Sequence, residues 1–166
     1  MSYPRFYDQA PTIVVQDPLA RFLGAAESGR FEYHYIDVVK AAGHSCPTVA
    51  SAYLMTAKAL DALYPDATPE RGGIKVSFRQ DKVSGVTGVI ANVVCLITGA
   101  TQDTGFKGIG GQFDRRDLLF FNSEIEDEIL FQRVDTGASV SVSSRLENIP
   151  ADPRMRDLLG KCLAGE

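Results

Sequence analysis

Gly43-His44-Ser45-Cys46-Pro47-Thr48 brings a histidine and a cysteine within two residues of each other. The rest of the chain holds one other His, His34, and two other Cys, Cys95 and Cys162. Imidazole nitrogen and thiolate sulfur are donors that borderline transition metals favour. Pro47 suits the first position of a helix, because its fixed φ fits the turn and its missing N–H leaves nothing unsatisfied. Cys46 then becomes the N-cap, with the free N–H groups of Thr48 and Val49 facing its sulfur. The positive end of a helix favours a thiolate and lowers the Cys pKa. The same turn therefore suits either a bound metal or a reactive thiol. It supplies two ligands, whereas a structural zinc normally has four and a catalytic one three. A half-buried cap cysteine beside a solvent-facing histidine accounts for the same residues with no chemistry at all.

A second stretch, Thr98 to Gln112, carries Gly99, Gly105, Gly108, Gly110 and Gly111 with Thr98, Thr101 and Thr104. Such loops hold anions through free backbone N–H groups. No Gly-Lys-[Ser/Thr] ends it, so it is not a P-loop, and Phe113 stands where a dinucleotide fingerprint needs glycine. If it binds a small anion, Thr98, Gly99, Thr101 and Lys107 are its contacts. A plain connection that needs positive φ is the competing explanation.

The elements around these stretches follow from periodicity. Residues 1–16 read as irregular, with a short apolar run at Thr12-Ile13-Val14-Val15. Asp17-Pro18 starts a first helix that ends by Gly29, and Phe31, Tyr35, Val38, Val39 and Ala42 continue at helical spacing to a stop at Gly43. Asp37 complements the dipole of this second helix. The third helix, Pro47 to Tyr64, is apolar over most of its circumference and must be buried in a core or against a second copy of the chain. Ile74 to Arg79 alternates as a strand after the Arg71-Gly72-Gly73 turn. Val86 to Ile97 has helical spacing despite its β-branched content. Leu118–Phe121, Ile129–Val134 and Ser139–Ser143 read as an antiparallel meander, and Asp152-Pro153 opens a last helix over Met155 to Leu163. Cys95 and Cys162 fall on apolar segments and read as packing residues.

The fold class implied is α+β, an antiparallel sheet packed with helices, as one domain over residues 1–166. The net charge of −4, with no Lys/Arg run beyond Arg115-Arg116, argues against a nucleic-acid face. No apolar run is long enough to span a bilayer, and Met1–Gln9 lacks the apolar core of a signal peptide. Three widely spaced Cys with no CxxC fit a reducing, cytoplasmic setting.

Asp37-Val38-Val39-Lys40-Ala41-Ala42-Gly43-His44-Ser45-Cys46-Pro47, followed by Thr98-Gly99-Ala100-Thr101 and Gly105-Phe106-Lys107-Gly108, resembles the FmdE family, named for formylmethanofuran dehydrogenase, over about residues 35–145. Members carry a Gly-His-x-Cys-Pro turn before a long helix and a Thr-Gly-Cys-Thr-like loop. The resemblance implies an α+β core, an intertwined homodimer, and a transition metal at His44 and Cys46, zinc first, with nickel or iron as alternatives. This chain departs in having Ala42 where many members have a second His, Ala100 where many have Cys, and no zinc-ribbon extension. Its ligand set would need His34, Asp37, water, an anion or a partner side chain to complete it.

Three functions compete on these residues. The first is a metal-binding protein with an accessory or metal-sensing role. The second is a metal-dependent enzyme acting on a small anion held by the Thr98–Gly111 loop. The third is a metal-free protein with a reactive Cys46 thiol.

Overall fold

The structure, a computed structural model, describes residues 3–165. It is an α+β fold with a two-stranded and a four-stranded sheet. After a 3-10 turn at Arg5–Gln9 come β1 (Ile13–Gln16), α1 (Pro18–Phe22), β2 (Arg30–Tyr33), α2 (Tyr35–Ala42) and α3 (Pro47–Leu63). β3 (Ile74–Phe78), α4 (Thr87–Thr98), β4 (Leu119–Phe120), β5 (Ile129–Arg133), β6 (Ser139–Val142) and α5 (Met155–Ala164) follow.

α3 is the central element. Val49, Ala52, Tyr53, Ala59 and Leu60 are fully buried, and the helix packs on α2, α4 and the β5–β6 side of the larger sheet. Its apolar circumference is thus used up largely inside one chain. Tyr53 reaches out of it to fix the N-terminal segment, its hydroxyl lying 2.6 Å from the Pro11 carbonyl and 2.8 Å from that of Tyr33. Burial pushes this phenol up to about 12. The facing sheet supplies Ile74, Val76, Phe78, Ile129 and Phe131, all fully buried by the period-two alternation of β3 and β5.

Several boundaries differ from the periodic reading. Ile13–Gln16 is a strand, and it pairs antiparallel with Arg30–Tyr33, which the helical spacing of Phe31 had drawn into the second helix. Arg30-Phe31-Glu32-Tyr33 alternates in burial, and the helix begins only at Tyr35, where the Asp37 carboxylate accepts the His34 N–H at 2.9 Å. α1 stops at Phe22 rather than near Gly29, because Gly24 takes φ +69° and turns the chain. The expected meander survives only as the β5–β6 hairpin. β4 pairs in parallel with β3 instead, giving the order β4-β3-β5-β6, with α4 as the crossover. α5 carries the expected stripe, but Met155, Leu158, Leu159 and Leu163 are all more than half exposed, and Cys162 is exposed rather than packed. Among the described residues, no helix is long and apolar enough to cross a membrane.

Candidate functional site

The turn between α2 and α3 is built by two residues of special backbone, a permissive glycine and a restricted proline. Gly43 takes φ +76°, and its N–H closes α2 on the Val39 carbonyl at 2.8 Å. Pro47 then opens α3, with Cys46 extended as its N-cap. Between them, the Ser45 hydroxyl meets the Tyr35 phenol at 2.8 Å, tying the turn to the buried ring at the start of α2.

His44 is exposed, and its Nδ1 lies 3.0 Å from the Ala42 carbonyl oxygen. A carbonyl can only accept, so Nδ1 carries the hydrogen and the neutral ring offers Nε2 as a lone pair. The Ala42 carbonyl, and after it the Cys46 side chain, raises the His44 pKa. Partial burial of Cys46 opposes its ionisation. The Val49 N–H, the His44 ring, and the N–H and hydroxyl of Thr48 outweigh that, so its pKa lies below the ordinary thiol value. Tyr35 behaves oppositely: burial raises its pKa, and the neighbouring Cys46 adds to the rise. A groove of about 170 Å³ with His44 on its rim runs between α2 and α4, walled by Val38, Ala42, Val89, Val93 and Leu96.

His34 is not part of this assembly within one chain. It caps the opposite end of α2, about 12 Å of helix away, and its Nδ1 faces Thr12 Oγ1 at 3.3 Å. Asp37 is engaged in the α2 cap and lies 3.8 Å from Lys40. Among the described residues, no group of three or more His, Cys, Asp or Glu side chains is placed to hold a metal ion. The turn itself offers one imidazole, His44, and one thiol, Cys46.

The Gly-rich loop is tied down through the side chains singled out for an anion. Thr98 is buried and donates its hydroxyl to the Val94 carbonyl at 2.8 Å, while Thr101 donates to the Arg115 carbonyl at 2.6 Å. Both hydroxyl hydrogens are therefore already used. Gly99 ends α4 at φ +72°, and Lys107 stands exposed on the loop.

Periodicity gave no hint of a charged cluster beneath this loop. Asp17, which caps α1 through the Ala20 N–H at 3.0 Å, also binds Arg71 at 2.9 Å and Arg115 at 2.7 Å. Asp17 and Arg115 are almost fully buried. The usable signal was glycine: Gly72 and Gly99, each adjoining the cluster, both take positive φ.

Comparison of the chain with protein-family models, curated proteins and solved structures finds no match in any of the three.

Proposed function

We propose that the turn from Gly43 to Pro47 binds a transition metal ion through His44 and Cys46, in an accessory or metal-sensing role. The observation that carries this reading is the Nδ1–H of His44 held on the Ala42 carbonyl at 3.0 Å. Metal-binding histidines are typically oriented by such a bond, which fixes the tautomer and frees the other nitrogen for the ion. The thiol beside it ionises below the usual range, which suits a thiolate ligand. Zinc matches one nitrogen and one sulfur donor best, with nickel or iron as alternatives. When bound, the ion would supply a Lewis acid at an exposed turn with open coordination positions. A second copy of the chain in a homodimer is the natural source of a further ligand, with His34 as its candidate, and a cytoplasmic setting fits the unpaired cysteines.

The test is elemental analysis and Co(II) absorption of protein purified without chelator, wild type beside Cys46→Ser. About one metal per chain, or about half if two chains share an ion, with a sulfur-to-cobalt charge-transfer band lost in the variant, is the expected result. Wild-type stoichiometry in Cys46→Ser would refute thiolate ligation. The lowered Cys46 pKa also favours a second reading, a reactive thiol. That reading takes over if neither protein holds metal after reconstitution.

A further inference from the structure

Four stretches distant in sequence meet around Arg115. Asp17 accepts Arg115 Nη2 at 2.7 Å with one carboxylate oxygen and Arg71 Nη1 at 2.9 Å with the other. Arg71 has a further acceptor, the Leu96 carbonyl, at 3.1 Å from Nη2. Arg115 is less well served: it is 5% exposed, and its Nε and Nη1 are buried with no acceptor. Two glycines make room for it. A Cβ on Gly72 would collide with the guanidinium, and one on Gly99 would lie 2.9 Å from Nη1. The fold thus forgoes two side chains to admit a cation to its interior, then leaves that cation short of partners. Native interiors rarely leave buried donors unmet without a use for them.

Arg115 forms part of the wall of a cleft of about 380 Å³, together with Pro18, Glu70, Arg71, Gly72 and Phe113. A second hollow of about 390 Å³, walled by Pro18, Arg21, Phe22 and Phe113, adjoins it through the two shared residues. Phe113 holds φ +63°, which bulky residues seldom adopt, and its ring lies 5.3 Å from that of Phe22, itself 61% exposed. A guanidinium pair therefore lines the cleft and an aromatic pair lines the adjoining hollow, with Phe113 common to both. Of the acidic groups nearby, Asp17 is shared by the two arginines and Asp114 is paired with Arg116 at 2.6 Å. Glu70 remains on the wall, and Arg21 at the adjoining hollow offsets it. That balance suits a singly charged carboxylate better than a dianionic phosphate.

We propose that this cleft binds a small carboxylic acid with a flat apolar body. The carboxylate meets the Arg71–Arg115 pair, and the body lies along Pro18 and the Phe22 and Phe113 rings. The strained segment at Phe113 is the part that gives way to bring the carboxylate to the guanidinium. The site shares no residue with the His44–Cys46 turn and does not depend on metal there.

The test follows the arginine side-chain Nε–H signals of ¹⁵N-labelled wild-type protein by NMR. Benzoate is the probe, with benzamide and inorganic phosphate as comparators. Saturable shifts of the Arg115 and Arg71 signals with benzoate, no response to benzamide and a weaker one to phosphate are expected. Phe22→Ala, a change at an exposed ring, should weaken benzoate about tenfold. No response to benzoate, an equal response to benzamide, or phosphate binding more tightly than benzoate would overturn the assignment. Unchanged benzoate affinity in Phe22→Ala would overturn the placement of the apolar body.

Discussion

Replacing Asp17 by Asn keeps the shape of the side chain, removes one negative charge and turns the oxygen that faces Arg71 into an amide donor. The amide keeps an oxygen for the Ala20 N–H at the start of α1, so the helix cap, worth about 1 kcal/mol, stays in place. What is lost is the carboxylate that binds both Arg71 and Arg115, in a position 3% exposed. Removing one member of a buried ion pair costs about 3–5 kcal/mol, because the partner is left charged and unpaired. Arg71 is partly exposed and keeps the Leu96 carbonyl, which places the loss near the low end, about 3 kcal/mol. Domains of this size are typically stable by about 5–15 kcal/mol, so the effect is large. With a urea slope of about 2 kcal/mol per molar, the unfolding midpoint should fall by about 1.5 M. The pH dependence gives an independent check. Burial opposes ionisation of Asp17, but the Ala20 N–H, Arg71 and Arg115 outweigh it and hold the carboxyl below its ordinary 3.8. Its contribution is therefore complete above that unfolded-state value and disappears as pH falls through the lower folded-state value. The gap between wild type and Asp17→Asn should be constant near neutrality and close in acid. A midpoint within error of wild type at pH 7, or a gap that persists undiminished in acid, would refute the argument.

Tyr53→Phe should cost about 1–2 kcal/mol in the same assay, since the Pro11 and Tyr33 carbonyls lose a buried donor; an unchanged midpoint would mean that this anchor is dispensable. In a spectrophotometric titration of the folded protein, Tyr53 should ionise near 12, and because its folded pKa is raised, stability should decline as pH climbs above the ordinary phenol value of 10.0. Alkylation by iodoacetamide should show a Cys46 midpoint below the usual thiol value of 9.0, moved upward by His44→Gln, while Cys95, pushed by burial to about 11, stays unmodified at neutral pH. Coincident pH profiles for Cys46 in wild type and His44→Gln would exclude the histidine from activating the thiol.

Much of the helical layer could be read from the chain because its punctuation is chemical. Gly43 reaches the left-handed conformation that other residues avoid and Pro47 has its φ fixed by its ring, so the end of α2, the exposed turn and the start of α3 follow from residue type. The helical spacing of Val86–Ile97 likewise outweighed its β-branched content, since seven residues of α4 find burial on its inner faces. The misreadings have equally local causes. Four residues of β2 satisfy both periods at once, because Phe31 is spaced correctly from Tyr35 and Val38 for a helix while Glu32 alternates with it. β4 is two residues long, and its parallel partner is chosen across α4 and the whole Gly-rich loop, which no local pattern encodes. Arg115-Arg116 reads in sequence only as a basic pair too short to mark a nucleic-acid face. Tertiary structure separates the pair, sending Arg115 inward to Asp17 and Arg116 outward to Asp114. The His44–Cys46 pair was visible because its members are neighbours in sequence, whereas the distance of His34 from them depends on where α2 begins.

The position of β3 inside its sheet has a consequence for how the chain is made. Both neighbours of β3 lie downstream, β4 after the Gly-rich loop and β5 later still. During synthesis, at roughly 5–20 residues per second, Ile74–Phe78 spends on the order of several seconds with both edges unpaired. A short β-branched segment in that condition can pair with another nascent chain. Lys75 within the strand and Arg79 at its end interrupt that tendency with charge, as gatekeeper residues do. Exposed in the finished fold and outside its core, they protect the strand before there is a sheet to receive it.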